Sequence, residues 1–309
     1  MTTLFLTHPA CLDHETPEGH PERSDRLRVV NEVLAEDRFG ALVRGEAPEG
    51  DLDLVTLCHN EHYVTELRHI APTSGMIYVD GDTSMSPGTW EAVMRGVGGA
   101  VAATEAVVSG SHRNAFVAVR PPGHHAEIGK PMGFCFFDNV AVAARHAQRK
   151  YGIARAAIVD FDVHHGNGTQ DIFWGDASVM YCSTHQMPLF PGTGASGERG
   201  EHDTIVNAPL ASEDDGAKFR AAFENVILPQ LTKFSPELII ISAGFDAHYR
   251  DPLASLNLRA DDFSWVTRKL MEVADSTAGG RIVSVLEGGY DLQGLQESVA
   301  AHVTTLMHG

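Results

Sequence analysis

Ala156-Ala-Ile-Val-Asp160 followed by Phe161-Asp-Val-His-His-Gly-Asn167 is the stretch from which the fold is read. The first five residues form a small, β-branched run without alternation, as expected of a parallel strand covered on both faces. The next seven leave the apolar pattern abruptly and carry Asp162 and His164 two positions apart. On extended chain, alternate side chains point the same way, so an Asp-x-His pair can aim two donors at one ion.

Outward from this run, the same pattern recurs at Thr3–Thr7, Ala115–Val119, Val179–Ser183, Leu238–Ser242 and Ile282–Leu286. Helical stretches lie between these runs. Thr89–Val108 follows Ser86-Pro87, suited to N-cap and first helical residue, and Asn139–Tyr151 carries an apolar stripe through Val140, Ala143, Ala144 and Ala147. Ala217–Lys233 follows the acidic Glu213-Asp-Asp215, which suits a helix N-terminus, and Asp261–Ala274 and Leu292–Met307 complete the set. The alternation predicts an α/β protein with one mainly parallel sheet between helices.

Ligands of such sheets sit beyond the carboxyl ends of the strands. Arg120-Pro-Pro-Gly-His124-His125 follows Ala115–Val119, Ala243-Gly-Phe-Asp246 follows Leu238–Ser242, and Glu287-Gly-Gly-Tyr290 follows Ile282–Leu286. A lone Asp at a strand end is more often a helix cap, and a His pair more often two hydrogen-bonded core residues. Asp162, His164 and Asp246 together instead make a three-ligand set that leaves room for water, the layout of a catalytic metal site. A metal polarises an amide carbonyl and acidifies bound water. His124 or His125 would take the water proton and Tyr290 would hydrogen-bond the oxyanion.

Composition narrows the classes. The 309 residues carry 23 Lys+Arg against 41 Asp+Glu, a formal net charge of −18. That argues against binding phosphate backbones; such a charge mostly sets solubility, with attraction of cationic substrates as the lesser reading. No nucleic-acid partner is expected, and no membrane, since no stretch approaches a span. Cys11, Cys58, Cys135 and Cys182 show no metal or disulfide spacing and read as reduced thiols. Met1–Ala10 lacks the pattern of a secretory signal, so a cytoplasmic protein is expected. No repeat or long linker interrupts 1–309, which reads as one domain; oligomerisation is left open.

Arg120–Ala147, Ile158–Phe173, Phe190–Gly200, Ile241–Leu253 and Val285–Asp291, with Gly19–Leu27 before them, resemble histone deacetylases, class II in particular, in the family's order over essentially the whole chain. The resemblance implies the arginase–deacetylase fold, with about eight parallel strands, and hydrolysis of acetyl-lysine amides in a protein or peptide. It implies zinc on Asp162, His164 and Asp246, His125 as general base and acid, His124 as its electrostatic partner and Tyr290 as oxyanion donor. Asp160 would stand behind His124 and Asn167 behind His125. A neutral Asn167 would leave the His125 imidazolium without a supporting charge. Phe134 and Phe190 would line an acyl-lysine tunnel, Gly133 would present a carbonyl to the leaving amine, and Asp82 would hold the substrate backbone at the rim. Potassium is expected on backbone carbonyls of Asp160, Asp162 and His164 with the Ser183 hydroxyl.

Three other readings compete: an amidohydrolase of acetylated polyamines, an arginase-like enzyme with two manganese ions, and a non-catalytic acyl-lysine binding module. Asn167 and the His pair oppose the second, and the full set of ligands plus Tyr290 opposes the third. By the resemblance, Leu253 stands where members that act on acetylated polyamines carry a glutamate, and it opposes the first, because an apolar residue there cannot compensate a desolvated ammonium.

Overall fold

β-branched runs become the middle of the sheet because both of their faces must be covered. The structure is a computed structural model that describes residues 2–309; Met1, the first residue of the expected domain, lies outside the described residues. In chain order the strands are β1 (Thr3–Thr7), β2 (Val43–Glu46), β3 (Ile77–Tyr78), β4 (Ser84–Met85), β5 (Asn114–Val117), β6 (Ala156–Asp160), β7 (Val179–Gln186), β8 (Ile205–Leu210), β9 (Leu238–Ala243) and β10 (Ile282–Leu286). The helices are α1 (Ser24–Leu34), α2 (Leu52–Val55), α3 (Glu61–Ile70), α4 (Thr89–Val108), α5 (Asn139–Tyr151), α6 (Asn167–Phe173), α7 (Gly216–Ala222), α8 (Leu228–Phe234), α9 (Ala260–Thr277) and α10 (Leu292–His308).

Eight strands form one sheet in the order β2-β1-β5-β10-β9-β6-β7-β8, and β3 pairs with β4 apart from it. Every pairing in the large sheet is parallel. β5, β6, β9 and β10 are buried along their whole length. One helix group packs α4 on α5; the other packs α9 on α10 and α10 on α1. No helix among the described residues is long and apolar enough to cross a membrane.

The order of strands places the site. β5, β10, β9 and β6 are consecutive neighbours although β9 and β10 come late in the chain. Register then aligns their ends: Asp160 sits opposite Ser242, and Leu286 opposite Ala243. The segments after these strands therefore meet at one edge.

Several element boundaries depart from expectation. β5 runs Asn114–Val117 rather than Ala115–Val119, and β7 extends to Gln186. The edge strand β2, Val43-Arg-Gly-Glu46, is exposed and carries no apolar run, and the apolar residues of β8 are interrupted by Asn207 and Pro209, so neither shows in the periodicity. The stretch Ala217–Lys233 is not one regular helix, because Phe223–Ile227 forms a π turn before α8. Pro229 stands at the start of α8; a proline cannot donate to the preceding turn and crowds it, and the widened turn absorbs the defect. Asp215 caps α7 as its acidic position suggests, accepting from Ala217 N and Lys218 N. Ser86 does not cap α4. Its backbone N donates to Thr89 Oγ1 at 2.8 Å, so Ser86 and Pro87 form a turn ahead of the helix.

Candidate active site

Asp162 and His164 leave the end of β6 and Asp246 leaves the end of β9. One donor atom from each lies within 4.8 Å of the others, and all three residues are buried. His164 Nδ1 is 3.0 Å from Asp246 Oδ2 and 3.2 Å from Asp162 Oδ1. Backbone groups hold the carboxylates: Gly288 N donates to Asp162 Oδ2 and Val163 N to Asp246 Oδ1, both at 2.8 Å. The flanking glycines leave room for them. A Cβ on Gly244 would stand 2.0 Å from Asp162 Oδ2, and one on Gly288 would stand 2.2 Å from Asp246 Oδ2.

Burial and the neighbouring charge of Asp162 push the Asp246 carboxyl up to about 7. Burial opposes ionisation of Asp162 too, but His124 and His164 outweigh it and hold this carboxyl well below the usual range. Burial disfavours a charged His164, yet its bonds to both carboxylates lift it to about 10. Two carboxylates crowded in a dry site thus draw positive charge onto the imidazole between them. An oxygen–nitrogen–oxygen donor set that gathers positive charge in this way fits a divalent cation.

The His pair follows β5. His124 Nδ1 lies 2.9 Å from Asp160 Oδ2, and His125 Nδ1 lies 2.9 Å from Asn167 Oδ1. Burial works against a charged His124, but the carboxylates of Asp160 and Asp162 override it and hold the ring well above the usual histidine range. Burial, then the nearby His124 and His164, push His125 well below it. Adjacent rings in one chain segment thus have opposite charge preferences, set by what stands behind each.

Tyr290 leaves β10 through Gly288 and Gly289. Its backbone N donates to Asp251 Oδ2 at 2.6 Å, and the Arg26 guanidinium lies 4.8 Å from its ring centre. Burial pushes the phenol well above its usual range, so it stays protonated. Tyr290, His125 and His164 share a cavity of about 210 Å³. Its walls include Asp82, Gly133, Phe134, Phe190 and Leu253, with Leu189 in addition. Larger cavities of about 470 and 650 Å³ lie elsewhere and contain none of the three donor residues.

The wall residues have defined settings. Phe134 meets Tyr290 edge to face at 5.9 Å and Phe190 meets His125 at 5.2 Å between ring centres. Gly133 (φ 56) and Phe134 (φ 69) are both left-handed, and a Cβ on Gly133 would stand 2.4 Å from the His125 ring. Gly133 N donates to Asp82 Oδ1 at 3.1 Å and Phe134 N to Thr83 Oγ1 at 3.0 Å. Asp82 thus already ties the rim to the wall. The Ser183 hydroxyl lies 2.8 Å from His185 Nδ1, so the potassium expectation gains no support from that contact.

Sequence reasoning missed several supporting groups. Glu287, buried and pushed up to about 8 by its burial, accepts from Gly123 N at 2.7 Å and His124 N at 3.2 Å. Arg26 Nε donates to Gly289 O at 2.6 Å, and Asp251 holds the backbone of Tyr290. Asn167 stands behind His125 as expected, and behind the amide lies a group the sequence did not name: Asn167 Nδ2 donates to Glu127 Oε1 at 2.7 Å. Glu287 stands at a recognisable strand end; Arg26, Glu127 and Asp251 lie within the stretches that carry the family resemblance, but nothing in the local sequence says what each contacts.

A parallel eight-stranded sheet with a buried Asp-His-Asp cluster, a His pair and a Tyr beneath a narrow cavity defines an α/β protein of arginase–deacetylase architecture. The chain belongs to the histone deacetylase family: the histone deacetylase domain model matches residues 20–306. It is 38% identical to the chloroplastic histone deacetylase 10 of Oryza sativa subsp. japonica, over 96% of this chain and 71% of that protein. It is 37% identical to the histone deacetylase-like amidohydrolase of Pseudomonas aeruginosa, over 88% of this chain and 73% of that one. The polyamine deacetylase HDAC10 of Mus musculus is 36% identical over 99% of this chain, which spans 46% of that longer protein. The crystal structure of the HDA15 HD domain superposes with a TM-score of 0.92 at 34% identity, covering 99% of this chain and 89% of that one.

Proposed function

We propose that residues 1–309 form one catalytic domain that hydrolyses the acetyl amide of an acyl-lysine side chain, using zinc held by Asp162, His164 and Asp246. The observation that carries this is the meeting of that donor set with His125 and Tyr290 around one narrow cavity. Bound zinc would polarise the carbonyl and acidify a water. His125 takes the water proton and returns it to the lysine nitrogen as the C–N bond breaks, yielding acetate and amine. His124, charged against Asp160, stabilises developing negative charge. The protonated Tyr290 phenol donates to the carbonyl oxygen as it becomes an oxyanion. Phe134 and Phe190 enclose the aliphatic stem, Gly133 O faces the leaving amine, and Asp82 meets the substrate backbone at the rim.

Peptidyl acyl-lysine is favoured over acetylpolyamine because the apolar Leu253 lines the cavity. A secondary ammonium beside Leu253 would find no partner there, at a cost; the Asp82 carboxylate in the same wall is the competing acceptor. The mouse relative's name supplies the alternative substrate class. All four cysteines are buried and unpaired, which suits a reducing compartment such as the cytoplasm. The test compares kcat/KM of zinc-loaded protein on an acetyl-lysine peptide and on N8-acetylspermidine, for wild type and Leu253→Glu. Wild type should favour the peptide and the variant should gain on the polyamine; a wild-type preference for the polyamine would refute the role of Leu253.

A further inference from the structure

An asparagine behind a catalytic histidine is ambiguous in a way an aspartate is not. Its oxygen end requires Nδ1 of the ring to carry hydrogen; its nitrogen end requires Nδ1 to be a bare lone pair. The choice decides which ring nitrogen is left able to take a proton. A chain with Asn at 167 therefore needs a further group to settle which end of the amide faces His125.

That group stands on the far side of the amide. Asn167 Nδ2 lies 2.7 Å from Glu127 Oε1 and 3.3 Å from Met132 Sδ. A carboxylate and a thioether only accept hydrogen bonds, so the NH₂ end faces them. Oδ1 is then turned to His125 Nδ1 at 2.9 Å, where it can only accept. Nδ1 must carry the hydrogen, and Nε2 keeps its lone pair.

Glu127 is placed by several independent ties. His59 Nδ1 lies 3.0 Å from Glu127 O, Glu127 N donates to Lys130 O at 3.0 Å, and Asn60 N donates to Ile128 O at 2.8 Å. Ile128 N donates to Asp171 Oδ2 at 3.1 Å, linking the same turn to α6. The start of α6 is in turn bonded to the His pair, since Gly168 N donates to His124 O at 3.0 Å. Glu127, Asn167 and His125 are thus held in one frame.

The geometry points to Glu127 as a positioning residue: it orients the Asn167 amide, and the oriented amide locks His125 in the tautomer with Nε2 free to act as base. This rests on the proposed role of His125. It also gives the neutral Asn167 a carboxylate behind it, so the arrangement is His–amide–carboxylate rather than His–amide alone.

The test uses the zinc-loaded full chain with two readouts: kcat and KM on an acetyl-lysine peptide, and the ring nitrogen shifts of His125 by long-range ¹H–¹⁵N NMR. Glu127→Met removes the acceptor at similar length. It should populate both tautomers and lower kcat about tenfold or more, with KM little changed and zinc retained. Glu127→Gln keeps an oxygen that can accept and should hold the Nδ1–H tautomer better than the Met variant. Asn167→Asp alone sets two carboxylates against each other and should be poor. Adding Glu127→Gln to it exchanges the two groups and should recover most of the lost kcat. A Met variant with a single Nδ1–H tautomer and wild-type kcat would overturn the proposal, as would a double variant no better than Asn167→Asp. If wild type turned over no acyl-lysine peptide, the functional reading would fall, while the tautomer comparison would still decide the role of Glu127.

Discussion

Among the described residues, Asp162, His164 and Asp246 alone form a cluster that could hold a metal ion, so each should be indispensable. Alanine at any one should abolish zinc retention and turnover together, read by metal content and peptide deacetylation. Full zinc stoichiometry in one variant would remove that residue from the ligand set. Gly244→Ala probes the same site without touching a donor. Its Cβ would meet Asp162 Oδ2 at 2.0 Å, so zinc affinity should drop even though all three ligands remain. Tyr290→Phe should separate binding from chemistry: zinc stays, and turnover falls about 100-fold, the scale of a lost oxyanion donor. Near-normal turnover would assign the oxyanion role elsewhere.

At the scale of elements, His302 joins α10 to its neighbours. Fully buried, it lies 2.6 Å by Nδ1 from Thr267 Oγ1 on α9 and 2.8 Å by Nε2 from Ser284 Oγ on β10. Burial pushes the ring down to about 3 from 6.5. The unfolded chain binds this proton at higher pH than the folded chain does, so stability is full above about 6.5 and falls as pH drops toward about 3. Urea unfolding at pH 7 and pH 4.5 should show a steeper loss for wild type than for His302→Gln, which can keep both hydrogen bonds without titrating. Equal losses would show that α10 is not where the acid sensitivity resides. Element edges are also where periodicity was least informative: β2 is exposed throughout, and β8 holds Asn207 and Pro209.

For the whole molecule, the metal should act as a part of the fold. A zinc ion that binds only the native arrangement stabilises it by mass action, about 4 kcal/mol when zinc exceeds its Kd a thousandfold. Chelation should then lower Tm by several degrees, on the order of 5–10 °C for a chain this long. Re-adding zinc should restore it, and Asp162→Ala should not respond to the chelator. A chelated wild type that loses its zinc but keeps its Tm would show that the folded site contributes nothing to stability.

Much of this protein is legible in its sequence because the information is local. Unalternating Ile, Val and Ala runs mark β6, β9 and β10, since a strand covered on both faces has no polar face to show. The one-residue gap between Asp162 and His164 marks a shared direction, and glycines around Asp246 and Tyr290 mark crowded turns. Tertiary structure decided what those marks cannot hold. Periodicity says which side of an element is buried, not which distant polar group meets it there. Arg26 reaches Gly289 across 263 residues, and Glu287 reaches Gly123 across 164. Asn167 is written the same way whichever end of its amide faces His125, and the carboxylate of Glu127, 40 residues earlier, settles it. A hydrogen bond depends on where two groups stand in space, and that exists only once the chain has folded.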